Sequence, residues 1–323
     1  MSGEAYWLLE PGRGEIQAVN VPGPGENDVL VRALYSGVSR GTELLVFRGG
    51  VPPSQWQIMR APYQEGEFSG PMKYGYLSVG MVEQGPAELV GRAVFCLYPH
   101  QTRYVVPATA VWPIPHNVPP ERAVLAGAVE TAVNALWDAA PRVGDRIAVI
   151  GAGMVGCSVA RLLSTLPGVR LQLLDVDERR AATAAALGVA YAHPDEALDD
   201  CDIVVHASAS EAGLVRALQL VGAEGVVVEV SWYGDRRVSL PLGEAFHSGR
   251  LTIRSSQVGQ VAVSRRARRT HAERLALAIS LLADPAFDAL ITGESRFSEL
   301  PETMGRLASG ELDALCHRIA YDR

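Results

Sequence analysis

Apolar positions change their rhythm along the chain. Up to Pro115 they come in short β-type runs at 29–34, 77–83, 93–97 and 104–106, separated by turn signals such as Pro22-Gly23-Pro24-Gly25, Gly49-Gly50 and Pro52-Pro53. Runs of this kind, bounded by glycine and proline, predict strands joined by tight turns. This part therefore reads as a compact, mostly antiparallel β domain. After Pro113-Ile114-Pro115 and Pro119-Pro120 the texture turns helical. The alanine-rich stretch 121–140 predicts one helix, stopped by Pro141.

From Arg146 strand and helix patterns alternate. Strands are expected at 147–150, 171–174, 203–206, 226–230 and 251–254, with helices near 154–166, 178–187 and 211–221. Strands separated by helical patterns predict a parallel, doubly wound sheet, and hence an α/β fold. The tail adds a helix at 272–282, a strand at 290–292 and a helix near 301–309. No internal repeat or low-complexity segment interrupts the pattern.

The junction at 146–156, Arg-Ile-Ala-Val-Ile-Gly-Ala-Gly-Met-Val-Gly, carries the most chemistry. An apolar strand runs into a glycine-rich turn that opens a helix. Gly151, Gly153 and Gly156 fill the three places of a dinucleotide-binding fingerprint, for the tight turn, the close approach of a pyrophosphate and the packing of helix on strand. Met154 and Val155 start the helix, whose free N–H groups and positive dipole end suit phosphate. Asp175 ends the next apolar run, roughly 20 residues on, where an acid accepts from both ribose hydroxyls and repels a 2′-phosphate. The expected cofactor is therefore NAD(H) rather than NADP(H), although Arg179 and Arg180 lie close enough to soften that preference.

Composition narrows the picture further. A chain of 323 residues, 48% hydrophobic and 20% charged, is long enough for two domains with sizeable cores. A net charge of −7 argues against a nucleic-acid partner, and the one dense basic run, Arg265-Arg266-Ala267-Arg268-Arg269, is short. The sequence has neither a span of 18 apolar residues nor a signal-like start, so no membrane association and a cytoplasmic location are expected. Cys96, Cys157, Cys201 and Cys316 lack metal-like spacing and read as small buried hydrophobes.

This order of parts resembles the medium-chain dehydrogenase/reductase superfamily over essentially the whole chain. The likeness rests on Val29-Leu30-Val31-Arg32 with Ser36-Gly37-Val38, on 74–82, on 125–136, on the fingerprint and on Asp288-Ala289-Leu290-Ile291-Thr292. It implies a GroES-like catalytic domain at 1–120, a Rossmann NAD-binding domain at 121–259 and a return to the catalytic domain at 260–323. A homodimer, formed through an edge strand near 251–254, is also implied. Within the superfamily, Ser36-Gly37-Val38-Ser39-Arg40-Gly41-Thr42-Glu43 and Gly50-Val51-Pro52-Pro53 are similar to the bacteriochlorophyllide a dehydrogenase-like group, with weaker support from Trp232-Tyr233-Gly234 and Leu240-Pro241.

The zinc-dependent members hold their metal through a cysteine, a His-Glu pair and a later cysteine or histidine. Here the first position falls on Ser39 or Arg40, Gly75-Tyr76-Leu77 stands where Gly-His-Glu is expected, and Gly127 occupies the third. Zinc wants about four nitrogen, sulfur or carboxylate ligands, so a metal-free protein is expected.

Something other than zinc would then have to handle the proton. The resemblance points Tyr76 at the former metal position, as a hydrogen-bonding phenol or as a filler of volume. It places Thr131 beside the nicotinamide and Glu130 near the pocket floor, as a proton shuttle or in a structural pairing with Arg40 or a backbone cap. Ser39, Arg40 and Glu43 form a third cluster, in which Arg40 either holds an anionic substrate group or pairs with Glu43 or Glu130. Ala207, Ser208, Ser231 and Trp232 are further cofactor contacts. Tyr233 lines the pocket or packs in the core. His206 is expected beside nucleotide or solvent, and His100 and His116 on loops or at the surface.

The resulting expectation is a zinc-independent oxidoreductase that interconverts a small-molecule secondary alcohol and a ketone. A quinone- or enoyl-type reductase and a catalytically silent nucleotide-binding protein are the alternatives, because one fold hosts them all.

Overall fold

The computed structural model describes residues 1–68 and 70–322. The chain forms two compact units, one of Met1–Gly127, Ile279–Ala283 and Ile291–Arg323, the other of Ala128–Ala278 and Asp284–Leu290.

The first unit opens with an antiparallel hairpin of β1 (Ser2–Glu10) and β2 (Arg13–Asn20), followed by the long β3 (Asp28–Ser39) and the short helix α1 (Thr42–Phe47). Then come β4 (Glu65–Gly66), β5 (Met72–Lys73), β6 (Ser78–Gln84), β7 (Ala93–Cys96), β8 (Arg103–Pro107), β9 (Trp112–Pro113) and helix α2 (Pro120–Ala123). Helix α3 (Ala126–Ala139) leads into the second unit. The helix expected over 121–140 is thus two. Arg122 explains the break: its carbonyl accepts the Leu125 N–H in a tight last turn while its guanidinium donates to Leu282 O.

The second unit alternates strand and helix over most of its length: β10 (Arg146–Ile150), α4 (Met154–Leu163), β11 (Arg170–Leu174), α5 (Arg180–Ala186), β12 (Ala190–Ala192), β13 (Cys201–His206), α6 (Glu211–Leu220), β14 (Val221–Glu229), β15 (Thr252–Ser255) and α7 (His271–Leu281). All its strand pairs are parallel, in the order β12-β11-β10-β13-β14-β15. That is the doubly wound order 3-2-1-4-5-6, whose direction reverses between β10 and β13. Ligands bind beyond the carboxyl ends of the strands at such a reversal. Buried on both faces, the central strands β10 and β13 are near-continuous apolar runs. Ala148, Ile150, Leu174, Val204 and Val227 pack with Leu214 and Leu218 of α6 in one cluster, each large side chain contributing about 1.5–3 kcal/mol.

The chain ends in β16 (Ile291–Arg296), α8 (Leu300–Ser309) and β17 (Cys316–Ala320). These last strands complete the sheet β16-β17-β3-β6-β7-β9, with β8 paired to β3, while β2-β1-β5-β4 form a second sheet. β17 runs antiparallel to β3, with Cys316 opposite Ser39. The architecture is α/β, an antiparallel-rich β unit plus a doubly wound parallel sheet, as expected.

Candidate functional site

In the second unit the strand β10 stops at Ile150 and the chain turns through Gly151, whose φ of +103° suits glycine alone. A Cβ on Gly151 would stand 2.7 Å from the Ser208 nitrogen, so the loop after β13 rests on this turn. Gly156, one turn into α4, packs back on the Gly151 carbonyl and on Ala207. Gly153 differs from both, because a Cβ there would meet nothing within 4 Å. It is the N-cap of α4 with no side chain to close the helix end, so the N–H groups of the first turn, Met154, Val155 and Gly156, carry no side-chain cap. Open space before an uncapped helix start fits a pyrophosphate, with Gly153, Met154, Val155 and Gly156 as the residues that would hold it.

Asp175 follows β11 beside this turn. Its Oδ2 accepts the Ala152 N–H at 2.7 Å and its Oδ1 the Asp177 N–H at 3.0 Å. These bonds fix the carboxylate, and each oxygen keeps a lone pair for a ribose hydroxyl. Arg179 and Arg180 both form ion pairs with Asp177, at 2.8 and 3.4 Å.

The ends of β13 and β14 carry a hydrogen-bonded cluster that the sequence did not announce. His206 is fully enclosed, where nucleotide or solvent contact was expected. Its Nδ1 lies 2.8 Å from Glu229 Oε2 and its Nε2 2.7 Å from Ser208 Oγ. Parallel register sets His206 beside Glu229, and Gly213 on α6 closes over the ring, since a Cβ there would come within 2.7 Å of Nε2. The Ser231 N–H donates to Glu229 Oε1, Tyr233 donates its hydroxyl to Glu229 Oε2, and the Ala209 N–H donates to Ser231 Oγ. Burial alone would raise the Glu229 carboxyl, but His206 and the Ser231 N–H outweigh it and hold it below the usual range. Tyr233 therefore belongs to this network. Trp232 and Thr131 are both half-buried.

Glu130 pairs with Arg274, Oε1 to Nε 3.1 Å, and not with Arg40. Arg274 is itself buried and also donates to Asn134 Oδ1 and to the carbonyls of Gln260 and Val258. It was missed because it follows the surface-like run 265–269 and lies far from Glu130 in sequence. Burial raises the Glu130 carboxyl, and Arg274 only partly offsets that.

In the first unit, the three positions read as former zinc ligands resolve differently. Ser39 is buried at the end of β3. Gly127 lies alongside, with Leu77 and Tyr76 the nearest side chains to where its Cβ would stand. Arg40 turns outward to Asp313 at 2.5 Å. Ser39, rather than Arg40, is therefore the buried one of the two. Burial pushes the half-buried Tyr76 phenol well above its ordinary range, the Glu43 carboxylate adds to this, and the nearby Ser39 and Thr42 hydroxyls pull the other way.

His100 corrects a second expectation. It is buried, with Nε2 2.9 Å from Glu43 Oε2 and Nδ1 2.7 Å from Ser36 Oγ. Ser36 Oγ lies 2.9 Å from the Tyr321 hydroxyl. A histidine between Pro99 and a polar stretch looks like a loop residue, but these partners, distant in sequence, make its burial affordable. Glu43 Oε1 accepts the Ser39 N–H at 2.8 Å.

Zinc does not fit the Tyr76 position. Ser39, Thr42 and Tyr76 offer neutral hydroxyls, Gly127 offers no side-chain ligand, and both Glu43 oxygens are engaged. Among the described residues no group of three or more His, Cys, Asp or Glu is placed to hold a metal ion. All four cysteines are free and buried. No helix among the described residues is long and apolar enough to cross a membrane.

No protein-family model matches this chain, and no curated protein matches it in sequence. Solved structures do share its fold. L-idonate 5-dehydrogenase from Escherichia coli superposes with a TM-score of 0.82 at 16% identity, over 99% of this chain and 98% of that one. Alcohol dehydrogenase TADH from Thermus sp. ATN1 gives 0.75 at 21% identity, over 99% and 100%. A short chain alcohol dehydrogenase from Escherichia coli CFT073, complexed with NADH, gives 0.77 at 16%, over 99% of each chain.

Proposed function

We propose that this chain is a nicotinamide-dependent oxidoreductase that interconverts a secondary alcohol and a ketone on a small molecule, uses NAD(H), and needs no catalytic zinc. The observation that carries the reading is the glycine turn at the reversal of the parallel sheet, with Asp175 hydrogen-bonded into it at Ala152. The fold shared with alcohol and polyol dehydrogenases, one of them holding NADH, supports it.

When bound, the nicotinamide supplies or accepts the hydride. Met154, Val155 and Gly156 offer N–H groups to the pyrophosphate, Asp175 takes the ribose hydroxyls, and Ala207, Ser208, Ser231, Trp232 and Thr131 are the remaining cofactor contacts in this reading. Tyr76 is the residue that would donate a hydrogen bond to the carbonyl oxygen. In ketone reduction the Tyr76 phenol would supply the proton that the carbonyl oxygen takes up. Arg40 and Glu130 are engaged by Asp313 and Arg274 and receive no role in the proton step.

Tryptophan-fluorescence titration with NADH and NADPH tests the cofactor, with tight binding of NADH and weak binding of NADPH expected. A panel of ketones then tests the chemistry. Tyr76→Phe should lower turnover by about 10²-fold or more and leave NADH affinity unchanged. Binding of neither nucleotide would sink the oxidoreductase reading, and full turnover in Tyr76→Phe would remove Tyr76 from it.

A further inference from the structure

The loop after β13 is held more tightly than a connecting turn requires. The Ala207 N–H donates to Ile150 O at 2.8 Å, the Ala207 methyl lies beside Gly156, and the Ser208 nitrogen lies over Gly151. Ala209 then takes a φ of +50°. That left-handed conformation is unfavourable for a residue with a Cβ and persists only where its surroundings dictate it.

Three sets of bonds dictate it, all within the second unit. On the inner side, Ser208 Oγ lies 2.7 Å from His206 Nε2, and His206 Nδ1 lies 2.8 Å from Glu229 Oε2. Glu229 also takes the Ser231 N–H and the Tyr233 hydroxyl. An ionised carboxylate only accepts, so the hydrogen between Glu229 and the ring sits on Nδ1. In the middle, the Ala209 N–H donates to Ser231 Oγ at 3.0 Å. On the exposed side, Arg236 donates to Ala209 O at 2.9 Å and to Tyr233 O at 3.3 Å, with its guanidinium over the Tyr233 ring. The segments 207–210 and 230–236 therefore form one wall. Gly213 closes it from behind, since a Cβ there would stand 2.3 Å from Ser208 Oγ. Asp175, after β11, serves one half of the parallel sheet, and β13 and β14 belong to the other half. A doubly wound sheet of this order takes a dinucleotide across its two halves, one nucleotide to each.

We propose that His206, held by Glu229, is a positioning residue for the nicotinamide half of the cofactor: it draws Ser208 inward, sets the strained turn at Ala209 and so fixes the wall at the carboxyl ends of β13 and β14. The proposal rests on the cofactor reading given above. His206 is fully enclosed, so it acts through other residues, on one side through Ser208 and on the other through Glu229 and Ser231. Arg236 closes the same wall from the solvent side.

The test titrates the full chain with two ligands. NADH reaches both halves of the sheet, whereas ADP keeps the adenosine and both phosphates and lacks the nicotinamide riboside. The ratio of their dissociation constants, ADP over NADH, measures what the second half contributes. His206→Asn keeps a donor toward Glu229 but no longer reaches Ser208. It should lower the ratio about tenfold or more, the order expected when a preorganised wall is loosened. His206→Gln, whose longer amide can reach Ser208, should restore part of it. An unchanged ratio in His206→Asn overturns the proposal, because loss of a merely structural residue weakens both ligands alike. An equal fall in both variants also overturns it, by placing the effect in lost packing. If His206→Asn yields no folded protein, Arg236→Gln on the exposed side should lower the ratio about threefold or more, and an unchanged ratio there overturns the proposal. Failure of the unaltered chain to bind either ligand would reject the cofactor reading itself. Binding of NADH with a ratio indifferent to these substitutions would reject only this inference.

Discussion

Gly156 packs so closely on Gly151 that a Cβ at position 156 would stand 1.9 Å from the Gly151 carbonyl oxygen. Helix α4 can start where it does only because that atom is missing. Gly153, two residues past Gly151, has open space instead. The three glycines of one motif therefore answer to different demands. Gly156→Ala should cost about 1–3 kcal/mol of stability or more, as overpacking does. Gly153→Ala should leave stability within about 0.5 kcal/mol and weaken NADH binding about tenfold or more, roughly 1.4 kcal/mol. Urea denaturation and a fluorescence titration on both variants separate the two effects, and equal loss of stability in both would contradict the geometry.

Asp175 offers a sharper test of cofactor choice. Asp175→Ser removes the charge that repels a 2′-phosphate and the acceptor for ribose, so the NADH to NADPH preference should fall by about ten- to a hundredfold, in line with about 1.5–3 kcal/mol for a charged hydrogen bond. The measured quantity is the ratio of the two dissociation constants. An unchanged ratio would mean that Arg179 and Arg180, both paired to Asp177, set the preference instead.

The Glu229 carboxyl predicts an acid-dependent stability. Its folded pKa lies below its unfolded value because His206 and the Ser231 N–H favour the ionised form over the penalty of burial. The contribution is therefore fully present above the unfolded pKa of about 4.3 and is lost as pH falls through the lower folded value. Glu229→Gln should flatten this part of the urea-midpoint profile below about pH 5. At pH 7 it should destabilise by about 3–5 kcal/mol, because it leaves His206 enclosed beside a poorer partner. A variant that keeps the wild-type acid slope would show that other carboxylates carry it.

Arg274 and Glu130 behave with the opposite sign. Burial raises the folded Glu130 carboxyl despite Arg274, so ionising it opposes folding as pH rises. Arg274→Met strips the ion-pair partner from a buried carboxylate and should cost about 3–5 kcal/mol near pH 8. The cost should shrink toward pH 5, where Glu130 can take a proton. Chemical denaturation at the two pH values checks this, and a cost independent of pH would mean that the lost contacts to Asn134, Gln260 and Val258 dominate.

Much of the second unit was legible because its information is local. The run 147–150, the three glycines and the acid at 175 follow one another along the chain, and the structure places Asp175 against Ala152 at the turn itself. The first unit hid more. The strands at Ser2–Glu10 and Arg13–Asn20 mix polar and apolar residues on half-exposed faces, and β3 runs on through Gly37 to Ser39, past the expected end at Leu34. Its site is assembled from Ser36, Ser39, Glu43, Tyr76, His100 and Tyr321, segments with no common motif. Tyr76 and Ser39 were visible only through the resemblance, as residues at positions where it implies metal ligands. His100 gave no local signal at all, because what makes its burial tolerable is a glutamate 57 residues away and a serine 64 away.

The pairing of β17 with β3 has a consequence for synthesis. Ser39 lies opposite Cys316, and Ser36 opposite Ile319, so the strand that carries Ser36 and Ser39 gains one neighbour only when residues 316–320 have left the ribosome. Most of the second unit, by contrast, is contiguous in the chain and is made earlier. Its parallel sheet can form while β3 is still without that partner, and closing so long a loop is a slow, late event. The Ser36–Tyr321 bond is therefore made only after the parallel sheet. A nascent chain stalled before Cys316 should already bind NADH while Tyr321 and its hydrogen bond to Ser36 do not yet exist.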